Sequence, residues 1–425
     1  MMKQNKILLG LALLIPQVLI CMDNFHYYRP PFFGVSFGEP RLVEPLLTSI
    51  DLFCAAGRAR CSRGSCCDST VPLLSLFGPE NMHFLGSNVP GKNPLSQEDV
   101  VLTELARTVG RDCFGYLTYS GTFRLMETQI LLTQNFRHGL FLQIGLPVRT
   151  MKLSHVCFTD DTPDSVPCPY AETRTWKNFL SLYDKILQKY GLCARGFKKT
   201  CIGDLSVLMG WGGNFQDFSV LDYVDADFKL GIIFPTGKKQ NIHEPFDIPS
   251  GYNDHLGFSG SFDFSVGLYN WLTFGGYGGA IAFADKTRDV HMKTDLRQNG
   301  LIKLARGCAT IERGTIWFAG AFGKLDHIAE GFSLLAGYTY CAEKNTTLHP
   351  ANTCCFEPSA VNCDSCLDGW DMHTLHLIAD YDFAQPHNRL SPRIGFFANI
   401  NLGGKRVFKT TMAGGSFGLD LTNEF

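Results

Sequence analysis

Residues 256–268 read Leu-Gly-Phe-Ser-Gly-Ser-Phe-Asp-Phe-Ser-Val-Gly-Leu, and this stretch decides the fold. Leu256, Phe258, Gly260, Phe262, Phe264, Val266 and Leu268 share one face of an extended chain. Gly257, Ser259, Ser261, Asp263, Ser265 and Gly267 share the other. Neighbouring side chains of a strand point to opposite faces, so this strict alternation marks one long strand. The pattern recurs at Val224–Ile232, where Asp225, Asp227 and Lys229 occupy the polar face. It recurs at Leu375–Phe383, with His376, Asp380 and Asp382, and at Ile394–Leu402, with Arg393, Asn399 and Asn401.

Alternation alone also suits a secreted β-sandwich, with the apolar face turned inward. Three features favour lipid on that face instead. The strands approach the roughly 9–11 residues that a tilted membrane strand needs. Their polar face is Gly, Ser and Asn with charges of both signs, as a wet or networked lumen requires. Tyr269, Trp271, Trp317, Tyr338 and Tyr340 gather at strand ends, where membrane barrels carry aromatic girdles. A charge on the lipid side costs about 2–4 kcal/mol for Arg or Lys at mid-depth, which assigns the charged rows inward. The predicted lumen lining is therefore Asp225, Asp227, Lys229, Asp263, His376, Asp380, Asp382, Arg393, Asn399 and Asn401.

Strands are predicted at about 45–56, 114–134, 139–153, 202–214, 222–235, 255–268, 272–284, 314–325, 331–343, 372–384, 393–403 and 408–425. The expected fold class is all-β, an antiparallel transmembrane barrel of about twelve strands. Connections then alternate between brief turns, including Tyr269–Trp271 and Lys324–Glu330, and long loops. The long loops are 57–113, 154–201, 236–254, 285–313 and 342–371, assigned to the outer surface.

The 425 residues carry 38 Lys+Arg against 40 Asp+Glu and are 45% hydrophobic with only 18% charged, which excludes a disordered chain. Near-neutrality gives no basic excess for phosphate, so no nucleic-acid partner is expected. Lys3 and Lys6 precede an apolar run from Ile7 to Ile20, the pattern of a secretory signal. Expected organisation is a signal over 1–21, a periplasmic or plug segment over 22–44, and the barrel over 45–425. The expected location is the outer membrane, with the signal removed and outer-membrane lipid as the surrounding partner. The end at Phe425, preceded by Leu421, Leu419 and Phe417 on one face, resembles the strand that barrel-assembly machinery reads.

There are 16 Cys. Cys61, Cys66, Cys67 and Cys113 fall in or at the end of the first long loop. Cys157, Cys168, Cys193 and Cys201 fall in the second, and Cys354, Cys355, Cys363 and Cys366 in the fifth. Four per loop in an exported chain points to local disulfides, with metal binding at Cys363-x-x-Cys366 as the rival. Glu172–Leu192 is predicted as an amphipathic helix, with Trp176, Phe179, Leu180, Tyr183, Ile186, Leu187 and Tyr190 on one face. It is either a lid on the mouth or an ordinary loop helix.

No GxGxxG, Walker or HExxH motif occurs, so no cofactor, metal or catalytic residue is assigned. Asp380, Asp382 and His376 could together activate water. Such groups more often form a salt-bridge network inside a lumen.

Ile202-Gly-Asp-Leu205, Leu230-Gly-Ile-Ile-Phe-Pro-Thr-Gly-Lys238, Ile248-Pro-Ser-Gly251 and Tyr269-Asn-Trp-Leu272 resemble outer-membrane barrels of the phenol meta-pathway and fatty-acid-transporter type. The resemblance covers about residues 200–285 and implies a strand opening at Gly-Asp-Leu and another leaving through Pro-Thr-Gly-Lys. Glu39-Pro-Arg-Leu42 and Leu146-Pro-Val-Arg149 are similar to uncharacterised outer-membrane proteins of Dependentiae-type host-associated bacteria. The Asn-Pro-Ala motif of the fatty-acid transporters' hatch is missing from Met22–Pro45, which holds Arg29-Pro-Pro31. The expected function is passive passage or binding of small molecules, apolar ones included. The alternative is a disulfide-stabilised envelope protein or adhesin acting through its loops.

Overall fold

The computed structural model describes residues 47–65, 69–107, 115–161, 170–216, 221–269, 271–383 and 390–422. The expected signal, the plug segment and Phe425 lie outside these residues. Twelve long strands run back and forth: β1 Leu47–Ala59, β2 Tyr116–Asn135, β3 Leu140–Asp160, β4 Leu205–Gln216, β5 Tyr223–Phe234 and β6 Gly257–Leu268. They continue as β7 Leu272–Phe283, β8 Ile316–Ala329, β9 Phe332–Glu343, β10 Trp370–Asp382, β11 Leu390–Lys405 and β12 Thr411–Thr422. Each pairs antiparallel with the next, and β12 pairs back onto β1 from Leu47↔Thr422 to Arg58↔Thr411. The sheet therefore closes into a barrel.

Exposure settles which solvent each face meets. Phe258, Phe262 and Phe264 of β6 are 50%, 53% and 49% exposed, whereas Ser259, Ser261 and Ser265 are 5% or less. Phe228 and Leu230 on β5 and Ile394 and Phe396 on β11 are likewise exposed, with Lys229 and Asn399 buried between them. Greasy side chains outside and polar ones inside invert the arrangement of a soluble sandwich. At roughly 3.3 Å per residue, the 12 residues of β6 run about 40 Å; a tilt near 40° brings their vertical reach to about 30 Å, the hydrocarbon thickness. Tyr269, Trp271 and Trp317 are exposed near strand ends, as an interfacial girdle requires, whereas Tyr338 is exposed midway along β9.

β8 departs from the expected span. Lys324–Ala329 is strand, not turn, with a bulge where pairing passes from Leu325↔Leu334 to Ala329↔Phe332. The turn shrinks to Glu330 and Gly331. Gly331 has φ +77°, and a Cβ there would meet the Asp382 carbonyl at 2.4 Å. β3 also runs longer than expected, to Asp160, because it stays paired with β2 as far as Leu117.

Above β4–β12, the long connections fold into a cap. Lys286–His291, Arg306–Glu312 and Thr347–Pro350 form a small antiparallel sheet, and Cys61–Arg63, Thr70–Pro72 and Val407–Phe408 form another. The two longer helices among the described residues lie here: α1 Gln97–Arg107 and α2 Tyr170–Lys189. α2 buries Trp176, Phe179, Tyr183, Ile186 and Leu187, and Gly191 at φ +73° ends it. Asp99 of α1 pairs with Lys189 at 2.6 Å and accepts from the Tyr190 hydroxyl at 2.8 Å. Trp176 donates to Asp160 at 2.8 Å, fixing α2 to the top of β3. One apolar core runs from Leu74, Phe179 and Phe246 in the cap to Phe123, Phe397 and Met412 inside the barrel. The Phe123 and Phe408 rings sit 5.4 Å apart at that junction.

Glu80 is buried in the cap and accepts from the Leu301 and Ile302 amides at 2.6 and 3.1 Å. Burial pushes its carboxyl up from 4.5 to about 7. The folded cap therefore binds this proton more tightly than the unfolded chain does. Its contribution is full below the ordinary carboxyl value and is lost as pH rises towards 7. The cap should resist limited proteolysis better at pH 5 than at pH 8. Glu80→Gln, which keeps a carbonyl acceptor, should flatten that difference; an equal pH dependence in the variant would refute the assignment.

Candidate functional site

Inward positions of adjacent strands place polar groups in register. Asp227 lies opposite Asp263 and Asp225 opposite Ser265. Two carboxylates facing each other repel, and Lys229 stands between them: its Nζ donates to Asp263 Oδ2 at 2.6 Å and lies 4.0 Å from Asp227 Oδ2. Asn214 donates to Asp225 at 2.6 Å, and the Phe141 ring lies 5.9 Å from the Lys229 ammonium. Further round the wall, the Tyr277 hydroxyl, the Thr339 hydroxyl, His376 and Asn399 form a chain. Thr339 Oγ1 is 2.6 Å from His376 Nε2, and His376 Nδ1 is 2.8 Å from Asn399 Oδ1. Arg393 donates to Asp51 at 3.1 Å and to Asp420 at 3.3 Å. Asn401 turns back to the Gly403 carbonyl at 3.1 Å.

Asp380 and Asp382 are half-buried on the same face of β10, across from Gly395 and Arg393. They do not join His376 in a water-activating set, because both nitrogens of His376 are engaged with Thr339 and Asn399. Gly414-Gly415-Ser416-Phe417-Gly418 has the spacing of a nucleophile elbow. It lies within β12, with Ser416 paired to Phe53 and Gly395, and so lacks the strand-to-helix turn that exposes such a serine.

Other lumen groups escaped the alternation argument. Lys324 pairs with Asp326 at 2.6 Å, and Thr273 links Asp326 to Tyr223 at 2.7 and 2.6 Å. The first two fell in the segment expected to be a turn. The interior also holds apolar groups, among them Phe53, Leu131, Phe141, Phe318, Phe322 and Leu335, all buried. The lumen lining is thus mixed in character.

At the rim, the sequence motifs converge. Asp204 of Gly-Asp-Leu accepts from the Gly237 amide of Pro-Thr-Gly-Lys at 2.8 Å and from the Tyr252 amide after Pro-Ser-Gly. Thr236 Oγ1 donates to the Gly203 carbonyl at 2.8 Å, and Ser250 Oγ to the Ile202 carbonyl at 2.7 Å. Arg149 of Leu-Pro-Val-Arg donates to the Ser250 carbonyl at 3.1 Å. These bonds hold the 236–254 loop rigid against β3 and β4.

That loop forms one wall of a cavity of about 800 Å³ in the cap, completed by segments 288–313 and 343–370. Arg313 on its floor pairs with Glu343 at 2.9 Å, and Trp370 donates to the same carboxylate at 2.6 Å. Burial and the nearby Arg313 and Arg288 cations push His255 down to about 4, so it lines the cavity as a neutral ring at pH 7.

Among the described residues, none of the expected loop disulfides is made. Cys61, Cys157, Cys193, Cys201, Cys354, Cys355, Cys363 and Cys366 are thiols. Cys66, Cys67, Cys113 and Cys168 lie outside the described residues. In the fifth loop the thiols are committed elsewhere: Cys366 is directed inward to the Gly300 carbonyl at 3.1 Å, while Cys354 and Cys363 are exposed. Cys157 faces Ser120 Oγ at 3.0 Å. Among the described residues no cluster of three metal-binding side chains occurs.

A closed antiparallel barrel with an apolar outside and a charged, networked inside is a transmembrane β-barrel of the outer-membrane type. No family model matches the chain, and no curated protein is similar to it. Among solved structures it is similar to an outer membrane channel from Pseudomonas putida F1, at 9% identity and TM-score 0.49 over 90% of this chain and 100% of that one. It is also similar to the Pseudomonas putida toluene transporter TodX, at 8% identity and TM-score 0.34 over 96% and 99%, and to a Pseudomonas aeruginosa FadL homologue, at 10% and 0.28 over 88% and 89%. At such likeness, the reading of this barrel rests on its own residues.

Removing the cation that separates Asp227 from Asp263 should be costly. Lys229→Met is expected to destabilise the barrel by about 2–4 kcal/mol, seen as a lower temperature for the change in gel mobility of the extracted protein. Adding Asp263→Leu should recover part of that loss. No recovery would mean that the pair is not coupled.

Proposed function

We propose that this chain is an outer-membrane channel that binds and passes small molecules, apolar ones included, through a narrow barrel closed above by its own loops. The observation that carries the reading is the two-sided wall. Lipid solvates the outside, while the inside combines compensated charges with buried aromatic and aliphatic side chains. Lys229, Lys324 and Arg393 are each held by carboxylates, but the acids of the lining, Asp51, Asp225, Asp227, Asp263, Asp326, Asp380, Asp382 and Asp420, outnumber them, so the lumen is net negative. A preference for cations over anions follows. The apolar side chains between the charges give a greasy solute a surface to contact on its way down. The three solved structures above carry printed names of channel, toluene transporter and FadL homologue, which agree in kind with this reading. Insertion would proceed through β12, recognised by the barrel-assembly machinery.

In planar bilayers the purified protein should show small discrete conductance steps, with cations passing more readily than anions. Deleting α2 and its flanking loop should enlarge the steps. No conductance with or without the loop, and no uptake of an apolar probe into vesicles, would refute a channel.

The loop cap supports a second reading, an envelope protein acting at the surface. It packs on the core that it shares with the barrel, and carries exposed thiols at Cys193, Cys308, Cys354 and Cys363. Disulfide-linked oligomers on non-reducing gels, with neither conductance nor uptake, would favour it.

A further inference from the structure

We propose that the cap cavity is a binding site for a small soluble polyanion, a phosphorylated solute, held by Arg288 with Lys238, Lys239 and Lys344 around it. The cavity's volume of about 800 Å³ suits a ligand of this size. Its lining carries seven Lys and Arg against five Asp and Glu.

The pairing within that set decides the charge that remains. Glu343 is engaged with Arg313, Asp364 with Lys303 and Asp289 with Arg306, at 2.9, 2.6 and 2.7 Å. Asp368 is engaged from outside the cavity by Arg406 at 2.7 Å. Among the described residues, no ion pair is made by Lys238, Lys239, Lys344 or Arg288. Of the acids, only Glu244 is left to offset them.

Arg288 is the central observation. Its Nη1 donates to Asn253 Oδ1 at 2.8 Å and to the Asn253 carbonyl at 3.2 Å, while its Nε is buried with no partner. The nearest acid, Asp254, is taken by Lys286 at 3.1 Å. A half-buried guanidinium whose Nε is out of reach of water and unpartnered, close to a second arginine, costs free energy that an oxyanion would offset. The clamp is built in advance. Asn253 Oδ1 also accepts from the Gln240 amide at 3.0 Å, and the Asp204 bonds fix the loop that presents Lys238 and Lys239. Several cations spread around a wide pocket suit a multivalent phosphate better than a single carboxylate. Leu192, Ile242, Val290 and Leu348 supply apolar walls for the rest of the ligand. All the lining residues belong to the cap or to its junction with strand ends, which favours a dissolved ligand over a phosphate on a lipid. The site needs no transport to be read, so it stands or falls apart from conductance.

The test is calorimetric titration of inorganic pyrophosphate into the full-length protein in a non-ionic detergent. Saturable one-to-one binding is expected, weakening as NaCl rises. Arg288→Gln and the double variant Lys238→Gln/Lys239→Gln should each weaken it at least tenfold. Arg288→Lys should retain part of the affinity, and Lys152→Gln on the outer wall should change nothing. Heat-dependent gel mobility confirms that each variant is folded. Absent binding, or equal binding by wild type and folded Arg288→Gln, overturns the proposal. Binding only to vesicles containing diphosphorylated lipid, with none to pyrophosphate, also overturns it in favour of a lipid headgroup site.

Discussion

The whole structure depends on closing the backbone hydrogen-bond ladder inside lipid. An unpaired amide or carbonyl in hydrocarbon costs several kcal/mol, so a strand can cross only if both its edges are paired. β1 satisfies this by pairing with β2 on one side and β12 on the other. Once the ladder is closed, alternate residues face opposite solvents. Phe262 then belongs in lipid and Asp263 inside, and a one-residue slip would reverse both. The same constraint explains why lumen charges come in compensated sets. Inward positions on adjacent strands are brought close by the register whatever their sign. Asp227 opposite Asp263 is tolerable because Lys229 lies within reach of both.

The cap follows from strand length. β2 and β3, at 20 and 21 residues, are far longer than the 12 of β6, and their upper ends stand clear of the bilayer. They form a wall against which α2 lays its apolar stripe. Tyr119 on β2 meets Tyr183 on α2 through a 2.7 Å hydroxyl contact. Because Phe123 and Met412 extend that core downward, cap and barrel share one interior. Opening the mouth therefore means separating packed apolar surface, not swinging a free loop. A helix that could have been an ordinary loop element becomes part of the closure.

Most of the barrel was legible in the chain because period-two alternation is a local signal, and lipid makes its two faces chemically distinct. The helix over Tyr170–Lys189 was legible for the same reason at a different period. What failed were features set by tertiary partners. Lys324 and Asp326 looked like turn residues because a charged pair near Gly331 ends a strand in most contexts; here both side chains point into a polar lumen. Cysteine spacing suggested local bridges, yet spacing carries no information about direction, and Cys366 turns inward to Gly300. Ser96-x-x-Asp99 caps α1, with the Asp99 amide donating to Ser96 at 3.3 Å, but its helix is short and its apolar residues are few. The Gly-Asp-Leu and Pro-Thr-Gly-Lys motifs were visible as words. That Asp204 ties them together across about thirty residues was not, because such a bond is a property of the folded rim.

The distribution of charge separates two tasks along one axis. In the lumen, each cation has a carboxylate at contact distance and acids outnumber cations, so the lining is net negative between its apolar rings. In the cap, three acids are bound to their own partners and a fourth is drawn away by Arg406, which leaves positive charge facing the cavity. Fields from paired charges fall off within a few ångströms, whereas an unpaired set projects to about a Debye length, roughly 8 Å at physiological salt. In the proposed channel, attraction of anionic solutes from the medium would fall to the cap. A barrel with these two zones can change what it captures by altering loop residues such as Arg288, without disturbing the closed ladder that holds it in the membrane.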